Sequence, residues 1–166
     1  MSVQPVVRIP DAVLAAPCRP VTEIGAAERA LAEHLFDTMA VSPGCVGLAA
    51  NQIGVPIRAF VLDVTGHKKA DACHGAFVLF NPELLEARNP EVAREGCMSV
   101  PDLTGDVARA TELVVQGRDL DGQMRVITTN AFEARAVLHE LDHLDGLVFL
   151  DRVASPSAVH RRKRYR

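Results

Sequence analysis

Ile24, Ala27, Leu31, Leu35 and Met39 recur at intervals of three and four with polar residues between them. The spacing predicts an amphipathic helix, capped by Thr22 and running to about Met39, where Ser42-Pro43-Gly44 stops it. The small-residue stretch CVGLAANQIGVP (residues 45–56) loses that period and reads as a loop or irregular strand lying close to another part of the chain. RAFVLDV (58–64) and GAFVLFNP (75–82) are β-branched or aromatic runs bounded by Gly and Pro, and read as strands joined by a polar connection. REGCMSVPDLTG (94–105) carries turn residues at both ends and little periodicity, while ELVVQGRDLDGQMRVITT (112–129) reads as two strands around an Asp121-Gly122 turn. Asn130 with Glu133 three residues on predicts a capping box. The helix it opens carries Phe132, Ala136, Val137 and Leu141 and ends near Asp145-Gly146; LVFLDRV (147–153) then resembles a short last strand. Strands in runs, with one helix before them and one among them, favour an α+β fold with a mostly antiparallel sheet.

Composition bounds this picture without redirecting it. At 166 residues the chain has the length of one ordinary domain, and we assign residues 1–155 to a single domain and 156–166 to a short basic tail. With no Trp and 4% aromatics, aliphatic side chains must do most of the packing. A net charge of −3 exerts no global pull on nucleic acid, and no specific nucleic-acid site is expected. HRRKRYR (160–166) is the local exception, read as a solvated, frayed terminus. The N-terminal stretch shows no export signal, and no apolar run approaches the roughly 20 residues that span a bilayer. Four scattered cysteines without a C-x-x-C pair then read as reduced thiols in a cytoplasmic protein, one of them available as a ligand.

The chemistry concentrates in the second helix. His139 and His143 stand four apart, so their rings lie on one face, one turn apart, and can converge on one ion. Glu140 follows the first histidine directly, placed to accept a proton from metal-bound water. Asp142 reads equally well as a carboxylate orienting another side chain and as a solvated one. Two imidazoles do not close a metal site. Cys18 and His34 read as structural, and His67, Cys73 and His74 as weak binders at irregular spacing. Cys97, between a freeing glycine and a constraining Ser-Val-Pro, would give three protein ligands and an open fourth position, the mark of a catalytic metal. Its plainer reading is a small buried hydrophobe.

CVGLAANQ (45–52), EGCMS (95–99) and HELDH (139–143) together resemble, in order and spacing, the three signature motifs of peptide deformylases. The resemblance covers roughly residues 9–153. It implies a fold of mostly antiparallel sheets packed around a central helix that supplies His139, Glu140 and His143, with Cys97 as the third metal ligand. It implies one divalent ion, ferrous iron first, with Zn2+, Ni2+ or Co2+ able to replace it; the ligand types alone also suit zinc. The implied reaction removes the formyl group from N-formylmethionyl peptides. Glu140 would serve as base and then acid. Gln52 and the Met98 backbone N–H would stabilise the charge growing on the formyl oxygen.

The substrate's methionine needs an apolar pocket, for which Val46, Phe132 and Ala136 are candidates. Gly47 and the Leu48 backbone are candidates to pair with the peptide as an added strand. Two positions depart from the family pattern: Cys45 stands where the first motif usually opens with glycine, and Leu138 where glutamine commonly precedes the first histidine. The rivals are a metallopeptidase, which needs a third His or Glu ligand downstream where only His160 follows, and a non-catalytic relative binding metal or formylated peptide. The basic tail is a candidate contact to the ribosome, where such substrates emerge.

Overall fold

The computed structural model describes residues 2–163. Helix α1 (Ala26–Ala40) comes first, followed by strand β1 (Gly47–Ala49), a 3-10 turn (Ala50–Ile53) and strand β2 (Ala59–Leu62). A long hairpin follows, β3 (Phe77–Cys97) and β4 (Val100–Arg118), then β5 (Met124–Asn130), helix α2 (Ala131–Leu144) and β6 (Val159–Arg161). Among the described residues the strands form one antiparallel sheet in the order β1-β2-β3-β4-β5, with β6 on β4. This is the α+β class with the antiparallel bias that the strand runs predict. No helix in this part of the chain is long and apolar enough to cross a membrane.

All four residues of β2 are buried because both faces are covered. Phe60 and Leu62 pack with Val137, Leu141 and Leu144 of α2, whereas Ala59 and Val61 pack with Leu31, Leu35 and Met39 of α1. A strand between two helices reads as a continuous apolar run, not an alternating one. A third, smaller cluster joins Cys97, Val100, Val107 and Phe149 at the tip of the hairpin.

Local chemistry corrects several expectations. Thr22 is not the cap of α1: the extended Gly25 is, and the Glu28 carboxylate reaches back to accept its N–H at 2.9 Å. Helix α2 starts where predicted, but no capping box forms. Asn130 Oδ1 instead accepts from Ala72 N at 3.0 Å, and Glu133 accepts from His74 N at 2.8 Å, so both side chains hold the 65–75 connection. Residues 94–105 are the tip of the β3–β4 hairpin, strand on both sides of a two-residue turn, with Cys97 paired to Val100 across Met98 and Ser99. Residues 147–153 form no strand. Phe149 is buried, and Phe149–Asp151 is a 3-10 turn closed by Val148 N on the Asp151 carboxylate at 2.9 Å. The last strand lies further on and takes in the start of the basic run, where His160 Nε2 lies 2.9 Å from Asp106 Oδ2. That start is paired backbone, not a frayed end; residues 164–166 lie outside the described residues.

Candidate metal centre

Three elements meet at one point. His139 and His143 project from the same face of α2, their ring centroids 5.0 Å apart. The hairpin tip delivers Cys97, whose Sγ is 3.3 Å from His143 Nε2. Donor atoms of Cys97, His139 and His143 all lie within 4.8 Å of one another, and these three form the group able to hold an ion among the described residues. The 3-10 turn after β1 delivers Gln52, whose Nε2 stands 3.5 Å from Cys97 Sγ and 3.2 Å from Ser99 Oγ while its Oε1 accepts from Ala49 N at 3.0 Å. That grip aims the amide N–H groups at the sulfur side. Residues 7–9 strap the parts together: Val7 N donates to Gln52 O (2.7 Å), Ser99 Oγ to Val7 O (2.7 Å) and Ile9 N to Ser99 O (3.0 Å).

Behind the donors runs a buried ion network. Glu95 Oε1 lies 2.6 Å from His139 Nδ1, which leaves the opposite ring nitrogen for the site. Arg109 grips Glu95 with two prongs, Nε to Oε2 at 3.0 Å and Nη2 to Oε1 at 2.8 Å, and also donates to Asp142. Arg152 donates to both Asp142 oxygens, at 2.9 and 3.1 Å, and Arg135 Nη1 reaches Glu95 Oε2 at 3.0 Å. Asp142 is therefore buried and orienting, not solvated. Burial pushes the Glu95 carboxyl up, but hydrogen bonds from His139 and Arg109 outweigh it and hold it well below the usual range. Sequence reading gave Glu95, Arg109, Arg135 and Arg152 no role. The signal for two of them was strand alternation: Glu95 shares its face with Cys97, and Arg109 falls in the inward row of Val107, Leu113 and Val115.

The donor set fits a cation. Burial opposes charge on His139, yet hydrogen bonds to Cys97 and Glu95 raise its pKa well above the ordinary value. Burial drives His143 the other way and keeps its ring neutral, the form that ligates. Two buried atoms at the site have no hydrogen-bond partner, His143 Nδ1 and Glu140 Oε2. Burial pushes the Glu140 carboxyl up to about 7. Gly47 is required beside it, since a Cβ there would meet Glu140 Oε1 at 2.8 Å.

The remaining candidates divide. Met98 lies in the two-residue turn after Cys97. The bond from Asp63 N to Val46 O at 2.8 Å fixes the alternation of β1, turning Leu48's backbone toward β2 and Gly47's toward the open edge. The Leu48 side chain is fully buried against α1, so of that pair Gly47 is the one whose backbone faces outward. Val46, Phe132 and Ala136 pack against the α2 core cluster, with Phe132 also stacked on His67 at 3.8 Å. Cys45 Sγ bonds Gly47 O at 3.2 Å, and burial pushes its thiol up to about 12, so it stays protonated. Leu138 packs on the core, and it is Glu95 that bonds the neighbouring His139. Cys18 is buried in that core, Cys73 is exposed, and His74 is bound to Glu133.

Comparison with known proteins agrees with this geometry. The family model for polypeptide deformylase matches residues 3–159. A peptide deformylase of Desulforudis audaxviator is 42% identical over 98% of this chain and 99% of its own length. Peptide deformylase 2 of Streptomyces avermitilis is 45% identical over 92% of this chain and 80% of its own. Among solved structures, the Ehrlichia chaffeensis peptide deformylase in complex with actinonin superposes with a TM-score of 0.88 at 31% identity, covering 95% of this chain and 92% of that one. The Acinetobacter baumannii enzyme bound to Met-Ala-Ser gives 0.82 at 32% identity, covering 92% and 100%.

Proposed function

The chain belongs to the peptide deformylase family of metal-dependent hydrolases, and on that premise we propose that Cys97, His139 and His143 hold the ion and Glu140 moves the proton as the formyl group leaves an N-formylmethionyl peptide. Iron is the metal first expected, with Zn2+, Ni2+ and Co2+ as substitutes. The observation that carries the reading is Glu140 Oε2, buried next to the three-donor cluster with nothing to bond. A buried carboxylate oxygen left this way is costly unless something completes it, here a water or the substrate amine.

A bound ion supplies Lewis-acid activation of water. The chain's own residues do the rest. Glu95, held by Arg109 and Arg135, fixes the His139 ring. Glu140, its carboxyl pushed up to about 7 by burial, takes a proton close to neutral pH and returns it to the departing amine. Gln52 Nε2, aimed at the sulfur side, and the Met98 N–H in the hairpin turn donate to the formyl oxygen as its charge grows. Gly47, on the open edge of β1, receives the peptide backbone. The metallopeptidase alternative loses its third ligand, because His160, on β6, pairs with Asp106 of β4.

The deciding experiment measures formate released from formyl-Met-Ala-Ser by anaerobically purified, iron-loaded protein, with elemental analysis of the metal. Turnover lost on chelation and restored by Fe2+ is the expected result. Bound metal without formate release would make the chain a non-catalytic binder. A cytoplasmic location and ribosome contact through the basic tail belong to the same proposal. If ribosome affinity is indifferent to salt and to deletion of residues 162–166, the tail has no such role.

A further inference from the structure

Cys45 stands between two fixed stretches of main chain. Its N–H bonds Ser42 O at 3.1 Å, which closes the turn after α1, and the carbonyl of the next residue, Val46, accepts from Asp63 N at 2.8 Å. The residue is half-buried and packs on the α1 cluster, so the freedom left to it is rotation of the side chain between staggered positions. In this structure that rotation points Sγ along the chain to Gly47 O, 3.2 Å away. Gly47 is the residue of β1 whose N–H and C=O face away from β2, and β1 ends the sheet among the described residues. A thiol on that oxygen lies where the main chain of an added strand has to come.

The same spot borders Glu140. A Cβ on Gly47 would meet Glu140 Oε1 at 2.8 Å, and Glu140, 3% exposed, keeps Oε2 without a partner. That unmatched oxygen owes nothing to the cysteine, and it marks the ground beside Gly47 as a place a ligand enters. We propose that Cys45 is a latch on the peptide edge: its S–H occupies the Gly47 carbonyl in the free protein and swings off when the N–H of a peptide main chain takes that oxygen. This rests on the deformylase reading and adds the group that its peptide must displace. Relative strength sets the direction of the exchange. A thiol is a weak donor, an amide N–H bonds a carbonyl more strongly, and a displaced S–H loses little by standing free. The latch therefore weighs on binding and not on the chemical step.

Donor and bulk can be separated. Cys45→Ala removes the donor, whereas Cys45→Ser keeps one while shedding the volume of sulfur. The readouts on metal-loaded protein are kcat and KM for formyl-Met-Ala-Ser and the calorimetric Kd of Met-Ala-Ser. Cys45→Ala should lower KM and Kd about two- to fivefold, the weight of one weak hydrogen bond, with kcat within twofold of the parent. Cys45→Ser should leave both at or above the parental values. The infrared S–H band that the parent has and the two variants lack should move to higher frequency when Met-Ala-Ser saturates the protein, because the bond to the carbonyl is broken. Unchanged or weaker affinity in Cys45→Ala, equal tightening in Cys45→Ser, or an unmoved band overturns the proposal. Should Cys45→Ala fail to fold, the Cys45→Ser affinities and the band decide alone. A parent protein whose band shifts with Met-Ala-Ser but which releases no formate overturns the deformylase reading and leaves the latch in place. One that releases formate with an unmoved band does the opposite.

Discussion

The two helices are nearly equal in length, 15 residues in α1 and 14 in α2, yet they bury different chemistry. Helix α1 buries Leu31, Ala32, Leu35 and Met39 with one polar residue, Thr38, whose hydroxyl is satisfied within the helix by His34 O at 2.7 Å. Helix α2 buries Glu133, Glu140, Asp142 and His143 among its apolar residues. Glu133 and Asp142 have donors on every side that matters. Glu140 Oε2 and His143 Nδ1 have none. A helix that only packs leaves no polar atom unmatched, so an unmatched one marks where something from outside completes the site.

The sharpest test of that contrast is Glu140→Gln. It should lower formate release by about 10²–10⁴-fold, the usual weight of a general acid–base group. Metal content by elemental analysis should stay unchanged, and Tm should hold or rise, because an unpaired buried carboxyl is removed. Turnover within tenfold of the parent would take Glu140 out of the chemistry and make α2 a second α1. Next in size is Arg109→Met. It takes from Glu95 and Asp142 the buried guanidinium they share, leaving Arg135 and Arg152 as their remaining cations, and breaking buried pairs in this way costs up to about 3–5 kcal/mol. Urea denaturation reads that loss, and metal titration should show an affinity about 10–100-fold weaker. A destabilised protein with unaltered metal affinity would mean that the network only holds the fold.

Most of the centre was legible in the sequence for the reason the contrast exposes. His139 and His143 stand out because two imidazoles on one helix face need a reason to be there, and the two flanking motifs then single out Cys97. The network behind them was not legible. Its pairs are 10 to 44 residues apart, and no local pattern tells which strand register faces which helix turn. Helix α1 and strands β2 and β5 were read from periodicity and turn chemistry. The middle of β3 was not, because residues 83–92 are almost all exposed, charged or interrupted by Pro90. Main-chain pairing to β4 holds them as strand, with shifts of register near Phe80 and Leu84 that side-chain alternation does not foretell.

On the α1 side the expected effect is purely one of stability. Leu35, fully buried against β1 and β2, should cost about 2–5 kcal/mol when cut to Ala. The kcat/KM of the fraction that remains folded should match the parent's. A fall in kcat/KM beyond twofold in that variant would show that α1 bears on the centre after all.

The smallest effect isolates the difference at a single equivalent position, the third residue of each helix. Glu28 and Glu133 are both first-turn glutamates, where a negative charge favours the helix N-terminus. Glu28 is half-buried and accepts the Gly25 N–H at 2.9 Å. Replacing it with Gln should cost about 0.3–1 kcal/mol, a shift of a few degrees in Tm at most. Glu133 is fully buried and takes His74 N, the His74 ring and Thr129 Oγ1, at 2.8 Å for the first and last. A glutamine there keeps one acceptor oxygen and adds an N–H facing donors, so about 1–3 kcal/mol should be lost. The 65–75 connection should loosen with it, since His74 is one of its anchors and His67 rests on Phe132. Amide exchange over residues 65–75 should therefore rise in Glu133→Gln and stay at the parental rate in Glu28→Gln. Equal losses of stability in the two variants would mean that Glu133 acts as an ordinary first-turn charge, and that the polar burial in α2 serves the metal centre alone and not the connection beside it.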